Sequence, residues 1–370
     1  MRVLYFSDSY GPHDFRFLSF LAGSGLQVFF LRRRAGRVYE SRPLPDGVTA
    51  LPHLDLEVGR RRLGLALLDG LHRVILETEP DIVHAGPLQP CAWLVARLGF
   101  PRLVSMAWGS DLLHQARFGL GRWQAVGALQ GSAAFLGDCE AVRQRAIALG
   151  MSQDRCVILP WGVDLQQFRP GEVAGARGRL GWQEKVVFLC LRAWEKRYGV
   201  DTVVEAFLRA ARRDPRLRLI LAGEGSLRTP LIGRIEASGL ADRFWLPGYV
   251  SYSELATLYQ SADVYLSGSH SDGSSVSLLE SMASGLPAFV SDIPGNREWV
   301  VAERTGRCFE PGDVDGLERL LVEAPGMLDE LKACGARARA VAEARADWGR
   351  NAPRMLEAYG MALGGRADHR

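Results

Sequence analysis

Asp272 and Glu280 stand eight positions apart. Between them lie Gly273-Ser274-Ser275 and a helical pattern opening at Val276-Ser277-Leu278. The apolar run Ala262–Leu266 comes before, and Ala288-Phe289-Val290 comes after. That order reads as strand, Gly/Ser loop, helix, strand. A helix start carries unpaired N–H groups and partial positive charge, so it is a natural seat for phosphate. Acids on either side of such a seat are placed to grip hydroxyl groups. A structural reading fits the same residues. Ser277 and Glu280 match a capping box, and Gly285 with Pro287 matches a helix stop. Leu278, Leu279, Met282 and Ala283 then form the buried face of that helix.

A second cluster lies in Leu191-Arg192-Ala193-Trp194-Glu195-Lys196-Arg197-Tyr198-Gly199, where a strand turns into a helix. Arg192 leaves the strand end, and Lys196 and Arg197 follow within one short loop. Two cations so placed can clamp a diphosphate and neutralise charge as its bond breaks. The competing reading is a solvated basic loop. Gly223-Glu224-Gly225 and Gly248-Tyr249-Val250 are turns that bring backbone close to a ligand or to a neighbouring strand. Alone they read as tight turns.

The elements that must position these residues follow from length and pattern. A chain of 370 residues has room for two domains, each with its own core. The net charge of +3 gives no global field for nucleic acid. Only Lys185, Lys196 and Lys332 among the 45 basic residues are lysines, so Arg is expected where Lys would serve elsewhere. Six scattered cysteines form no C-x-x-C pair and read as reduced, mostly buried thiols. The chain opens on a strand pattern at Met1–Phe6, so no signal peptide is expected, and no apolar run is long enough to span a bilayer.

Short apolar runs alternate with helical patterns from end to end, which predicts an α/β protein with parallel sheets. Strands are predicted at Val3–Phe6, Gln27–Leu31, Ile82–His84, Leu103–Met106 and Ala134–Leu136. The pattern restarts with strands at Val186–Leu191, Leu217–Ala222, Phe244–Leu246, Val264–Ser267 and Ala288–Ser291. Helices are predicted at 63–76, 141–149, 200–211 and 227–238, and from Val314 to about Gly360 with a break at Pro353. The expected division is an N-terminal domain over 1–162, a linker over 163–182, and a C-terminal domain over 183–347. Two doubly wound domains in tandem would bind ligand at the carboxyl ends of their strands.

The second half resembles family 4 glycosyltransferases. The resemblance rests on Val157–Asp164 with Phe168 and Pro170, the Arg192 loop, and Gly223-Glu224-Gly225. It continues through Tyr259–Val264, Asp272–Pro287 with its Ala283-x-Gly285-x-Pro287 turn, Gly306, and Pro311-Gly312-Asp313-Val314. It implies the GT-B architecture, two Rossmann-like doubly wound domains facing across a cleft, with the donor site in the second and the acceptor site mainly in the first. A C-terminal helix at about 348–362 is then expected to pack back on the first domain. The resemblance further implies a nucleotide-diphosphate sugar as donor substrate, no cofactor, and retention of anomeric configuration.

Residue by residue, Arg192 matches the family's phosphate-binding Arg. Arg197 matches its second cation, for which Lys196 is a substitute. Asp272 stands where the family usually has Glu, and Glu280 matches the acid that holds the ribose. The amides of Val276, Ser277 and Leu278 would face the phosphates, and the segment around Tyr249 and Val250 the base. Ser7–Asp14 resembles the family's loop near donor phosphates and acceptor, with Gly11 as the donor contact, although a double glycine is missing. His13 and Asp14 are acceptor-side candidates, with helix capping the competing role. His84, ending a strand, would face the cleft. Trp108 occupies the place of a family His, and Asp111 is either a hydroxyl contact or an N-cap.

No nucleophile–base pair stands out. No Asp-x-Asp metal motif is read in the sequence, so metal-independent transfer is expected, and the resemblance implies same-face attack. The acceptor would be a glycan, lipid-linked or small molecule. A sugar-nucleotide epimerase or hydrolase of the same fold, and a silent sugar-nucleotide-binding partner, are the alternatives. A cytoplasmic protein is expected, with peripheral contact at the inner membrane face as a separate hypothesis. Arg32-Arg33-Arg34 and Arg60-Arg61-Arg62, with the stripe Leu63, Leu67, Leu71, Val74 and Ile75, carry that hypothesis. A helix packed on the sheet is the competing reading.

Overall fold

The computed structural model describes residues 1–34, 40–54, 63–171, 177–178 and 180–364. The chain divides into two compact units. One comprises Met1–Leu159 with Ala352–Arg370, and the other Pro160–Asn351.

The first unit is a parallel sheet of seven strands. They are β1 (Arg2–Ser7), β2 (Gln27–Arg32), β3 (Val48–Ala50), β4 (Ile82–Gly86), β5 (Leu103–Met106), β6 (Ala134–Gly137) and β7 (Cys156–Ile158). Their order is β3-β2-β1-β4-β5-β6-β7. The central strands are buried along nearly their whole length, which is why they read as continuous apolar runs. Helix Leu63–Thr78 covers the sheet through Leu67 and Leu71, both buried, with Val74 and Ile75 packed alongside. These four residues of its stripe pack into the core, and the Leu63 side chain lies outside the described residues. Arg60, Arg61 and Arg62 lie outside the described residues.

The second unit repeats the plan with six parallel strands. They are β8 (Val186–Leu191), β9 (Leu217–Ala222), β10 (Phe244–Gly248), β11 (Val264–Ser267), β12 (Ala288–Ser291) and β13 (Gly306–Phe309). The order is β10-β9-β8-β11-β12-β13. Strand order reverses between β8 and β11, so the loops leaving these two strands part to opposite sides and open a crevice.

Residues 163–171, expected as linker, are packed into this second unit. Phe168 is fully buried, with its ring against Tyr252 and Tyr259 at 5.8 and 5.7 Å. The Arg339 guanidinium donates to the carbonyl of Phe168 at 2.6 Å. Val163 pairs with Asp347, and its amide donates to the Ala346 carbonyl at 2.7 Å.

The C-terminal third is less continuous than its pattern suggests. Helix Val314–Glu323 ends at Ala324-Pro325-Gly326, and Leu328–Arg345 follows as a separate helix. Pro325 has no amide to continue the ladder, and Gly326 adds a second weak helix former. Pro353 separates Trp348–Asn351 from Arg354–Gly364. The latter helix belongs to the first unit and lies against β4, β5, β6 and β7. No helix among the described residues is long and apolar enough to cross a membrane.

Candidate functional site

The loops leaving β8 and β11 carry the residues that chemistry would need. Arg192 follows the last residue of β8. Its Nη2 donates to Asp272 Oδ2, and its Nη1 to Ser275 Oγ and, at 3.3 Å, Ser277 Oγ. The guanidinium also lies over the Tyr198 ring, 4.2 Å from its centroid. Burial works against the Arg192 charge. The neighbouring Asp272, then Tyr265 and Tyr198, outweigh it and hold the pKa above the ordinary Arg value. A permanent, directed cation thus sits at the topological switch point.

Two close backbone approaches force the loops together. Gly199 has φ +56°, and a Cβ there would sit 2.0 Å from the Gly268 carbonyl oxygen. The His270 amide donates to the Arg197 carbonyl at 2.8 Å. Arg197 lies 4.7 Å from the centroid of the same Tyr198 ring that Arg192 covers. Tyr198 therefore gathers both guanidiniums. Lys196, the proposed substitute, is exposed, and no contact to this cluster is recorded for it among the described residues.

Helix Val276–Ala283 starts beside Arg192. Its N-cap is Ser275, whose hydroxyl makes no capping bond because Arg192 and Ser277 engage it. The expected capping box does not form. Ser277 instead shares its hydroxyl with Tyr265 at 2.7 Å, Ser275 at 3.1 Å and Arg192. Glu280 lies a turn further on, buried, and accepts from the Tyr259 hydroxyl at 2.8 Å. Burial, and then the Glu280 charge, hold the Tyr259 phenol well above its usual pKa, so it stays a donor. Burial also pushes Tyr265 up to about 12. The first amides of this helix have no intrahelical partner, and the N-cap side chain does not cover them.

The segment 294–299 braces the loop from below. A Cβ on Gly295 would meet the carbonyl oxygens of Gly273 and Asp272 at 2.4 and 2.7 Å. Trp299, buried, donates its indole N–H to Ser274 Oγ at 2.9 Å. At the other end, Arg339 donates to the Ala283 carbonyl and so closes the helix. Arg192, Arg197, Asp272, Gly273, Ser274, Ser275, Val276, Ser277, Leu278 and Glu280 thus fall in one neighbourhood. Tyr198, Tyr259, Tyr265 and Trp299 complete it. Sequence reasoning assigned them no role, since buried aromatics read as core.

The glycine turns support this neighbourhood rather than enter it. A Cβ on Gly223 would lie 2.3 Å from the Arg192 carbonyl oxygen, and one on Gly225 2.5 Å from that of Trp194. Their close approach is to the Arg192 loop. The Gly223 amide donates to the Gly248 carbonyl at 2.9 Å, which places the end of β10 next to it. Beyond Gly248, Tyr249 is 66% exposed and Val250 half-buried.

The triplet Asp313-Val314-Asp315, which sequence reading passed over, has the Asp-x-Asp form of many metal sites. Here Asp313 caps helix Val314–Glu323 by accepting from the Gly316 amide at 2.8 Å, and Asp315 accepts from Arg209 at 2.8 Å. Its carboxylates are engaged in structure.

In the first unit the candidates fall into two groups. Asp14 is fully buried, and its carboxylate accepts from the Gly11 amide at 2.8 Å and the Tyr5 hydroxyl at 3.1 Å. It caps helix Pro12–Gly23 and occupies the amide that Gly11 would offer a ligand. Burial pushes its pKa up to about 7. His84 does not open to solvent. It is fully buried beside Tyr5, its Nδ1 sits 2.9 Å from the Tyr359 hydroxyl, and burial lowers its pKa to about 3. Tyr359 comes from the returning C-terminal helix, so His84 is a docking contact for that helix.

His13 and Trp108 form the second group, with rings edge to face at 5.2 Å. Asp111 is buried and accepts from the amides of Trp108 at 2.8 Å and Leu88 at 2.9 Å. Burial pushes its pKa up to about 6. It ties two loops together, which leaves His13 and Trp108 as the more accessible candidates.

Comparison with known proteins bears on this arrangement. Residues 176–341 match the family model of glycosyl transferases group 1. Residues 15–167 match that of glycosyltransferase family 4. The chain belongs to the family 4 glycosyltransferases. D-inositol 3-phosphate glycosyltransferase of Nocardia farcinica is 32% identical over 237 residues, covering 60% of this chain and 51% of that protein. The same-named protein of Thermobispora bispora is 28% identical over 382 aligned positions, covering 93% of this chain and 87% of that protein. The chain therefore spans about half the length of the first relative and most of the second. The crystal structure of Anabaena HepE in complex with UDP-glucose superposes with a TM-score of 0.79 at 16% identity, covering 97% of this chain and 99% of that one. That likeness establishes the GT-B fold.

Proposed function

We propose that this glycosyltransferase takes a sugar from a nucleoside diphosphate donor, held by its second unit, and passes it to an acceptor hydroxyl with anomeric configuration retained. The observation that carries the proposal is the placement of Arg192 at the mouth of helix Val276–Ala283, held by Asp272 and Ser275. Negative charge grows on the departing diphosphate as the bond from the sugar's anomeric carbon to phosphate oxygen breaks. Arg192, Arg197 and the uncapped amides at 276–278 supply the matching positive field. A new bond forms between the anomeric carbon and the acceptor oxygen on the same face. The acceptor proton passes to the leaving phosphate, so the step is balanced without a protein nucleophile. Glu280, oriented by Tyr259, suits the ribose hydroxyls.

Two relatives guide the choice of compounds. The HepE complex makes UDP-sugars the first donors to test. The inositol 3-phosphate relatives make phosphorylated polyols the first acceptors. UDP-, GDP- and ADP-sugars should be screened for thermal stabilisation, because a ligand of the folded state raises its melting point. The stabilising donor is then followed by NMR with candidate acceptors. The expected product is a glycoside with the donor's anomeric configuration. An inverted product would remove retention. A changed or free sugar, formed at full rate without acceptor, would favour the epimerase or hydrolase reading.

A further inference from the structure

We infer that the surface around the start of helix Gly119–Gln130 docks on an anionic lipid bilayer. Phe118, Leu120 and Trp123 are 83%, 67% and 54% exposed. Three large apolar side chains within six positions make a patch, whereas scattered single ones would need no explanation. Leu120 and Trp123 are one turn apart on the helix, so they share a face. Phe118 leads into it at the N-cap.

Charge says what covers this patch. A hollow of about 490 Å³ beside it is lined by Leu113, Arg117, Phe118, Arg122 and Arg145. Arg145 is fixed by a 3.0 Å bond to the Ala116 carbonyl. Arg117 and Arg122 are exposed, and no carboxylate among the described residues pairs with either. The stretch Leu112–Gly137 contains no Asp or Glu, in a chain that carries 42 acids. Apolar side chains beside unneutralised cations match a surface with acyl chains beneath and phosphates above. Trp123 has the amphipathic ring that settles at such a boundary.

The location differs from the one composition suggested. Of the Arg32-Arg33-Arg34 cluster, Arg33 is buried and paired with Asp8 at 2.5 Å, and Arg34 lies 3.6 Å from the same carboxylate. Two of its three guanidiniums are thus drawn to one carboxylate within the fold. The exposed basic and apolar groups coincide at 117–123 instead. This inference stands apart from the donor reading, since it uses none of the residues of the second unit.

The test is co-sedimentation of the full chain with phosphatidylcholine vesicles containing about one-third phosphatidylglycerol, against phosphatidylcholine alone. The expected result is partitioning to the anionic vesicles. Arg117→Ala or Arg122→Ala should each lower it roughly fivefold. The pair Phe118→Ser with Leu120→Ser should lower it more than tenfold at unchanged melting temperature, since both side chains are exposed. Equal binding to neutral vesicles, or binding indifferent to Arg117 and Arg122, would overturn the inference. So would absence of vesicle binding together with a dimer, seen by sedimentation, that Phe118→Ser dissolves.

Discussion

Arg192 and Asp272 are 80 positions apart in sequence and joined by a charge-assisted hydrogen bond, Nη2 to Oδ2, at the crevice between β8 and β11. The pair does two things. It balances a buried cation, which would otherwise be costly. It also turns the planar guanidinium so that Nη1 meets Ser275 at the start of the helix. Direction matters here, because a fork that is already aimed would lose little entropy on taking the proposed phosphate.

Arg192→Lys keeps the charge and loses the fork. A lysine has no planar pair of donors to span Asp272 and Ser275. We expect kcat to fall roughly 100- to 1,000-fold with a small change in melting temperature. Steady-state kinetics with the best donor, alongside a melting curve, checks this. Unchanged kcat would mean that charge alone suffices.

Tyr259→Phe removes the hydroxyl whose single proton lies between the buried Glu280 carboxylate at 2.8 Å and the Ser277 carbonyl at 3.1 Å. The cost should be about 1–3 kcal/mol of stability. Donor affinity should weaken while kcat at saturating donor holds, because the proposed contact of Glu280 is with the ribose and not the reacting carbon. Calorimetric titration of nucleoside diphosphate, with denaturant unfolding, separates the two effects.

Much of the fold was legible because a strand covered on both faces must be apolar throughout. Val186–Leu191, Leu217–Ala222, Val264–Ser267 and Ala288–Ser291 were read to the residue. The strands Val48–Ala50, Cys156–Ile158 and Gly306–Phe309 were missed. Each is short, at an edge or near it, and too mixed to show a period. Asp272, Glu280 and Arg192 stood out through residue type and spacing. Their mutual geometry did not, since only the strand order brings loops so distant in sequence together. The capping-box reading of Ser277 failed for a related reason. Its hydroxyl found Tyr265, a partner that local sequence cannot show.

Gly199→Ala tests that convergence of loops. The new Cβ would strike the Gly268 carbonyl, and the φ of +56° is itself unfavourable. A loss of more than about 2 kcal/mol is expected, with reduced donor binding as the two loops part. Gly239→Ala is the control, since its φ is +72° with open space around it, and it should cost about 1 kcal/mol. Equal losses in the two variants would show that backbone conformation, and not the contact with Gly268, sets the cost.

The pH dependence of stability has a definite sign at Asp14. Burial raises its folded pKa to about 7 from an ordinary 3.8. Between those values the folded state holds a proton that the unfolded chain has lost. Its contribution to stability therefore falls as pH rises from about 4 to 7 and is flat above. His84, pushed down to about 3 from 6.5, acts oppositely and weakens the fold as pH drops below about 6.5. The two trends mask each other in the native chain. Asp14→Asn unmasks them. Its stability relative to the native chain should rise by on the order of a few kcal/mol between pH 4 and 7 and then level off. Unfolding curves across that range check the slope, and a constant difference would contradict it.

The most direct measurement is a crystal structure of the second unit's site within the full chain, grown with the nucleoside diphosphate that best stabilises it. The account predicts phosphate oxygens within hydrogen-bond distance of the Arg192 guanidinium and the 276–278 amides, with the ribose hydroxyls on Glu280. A diphosphate bound elsewhere, with these groups untouched, would contradict it.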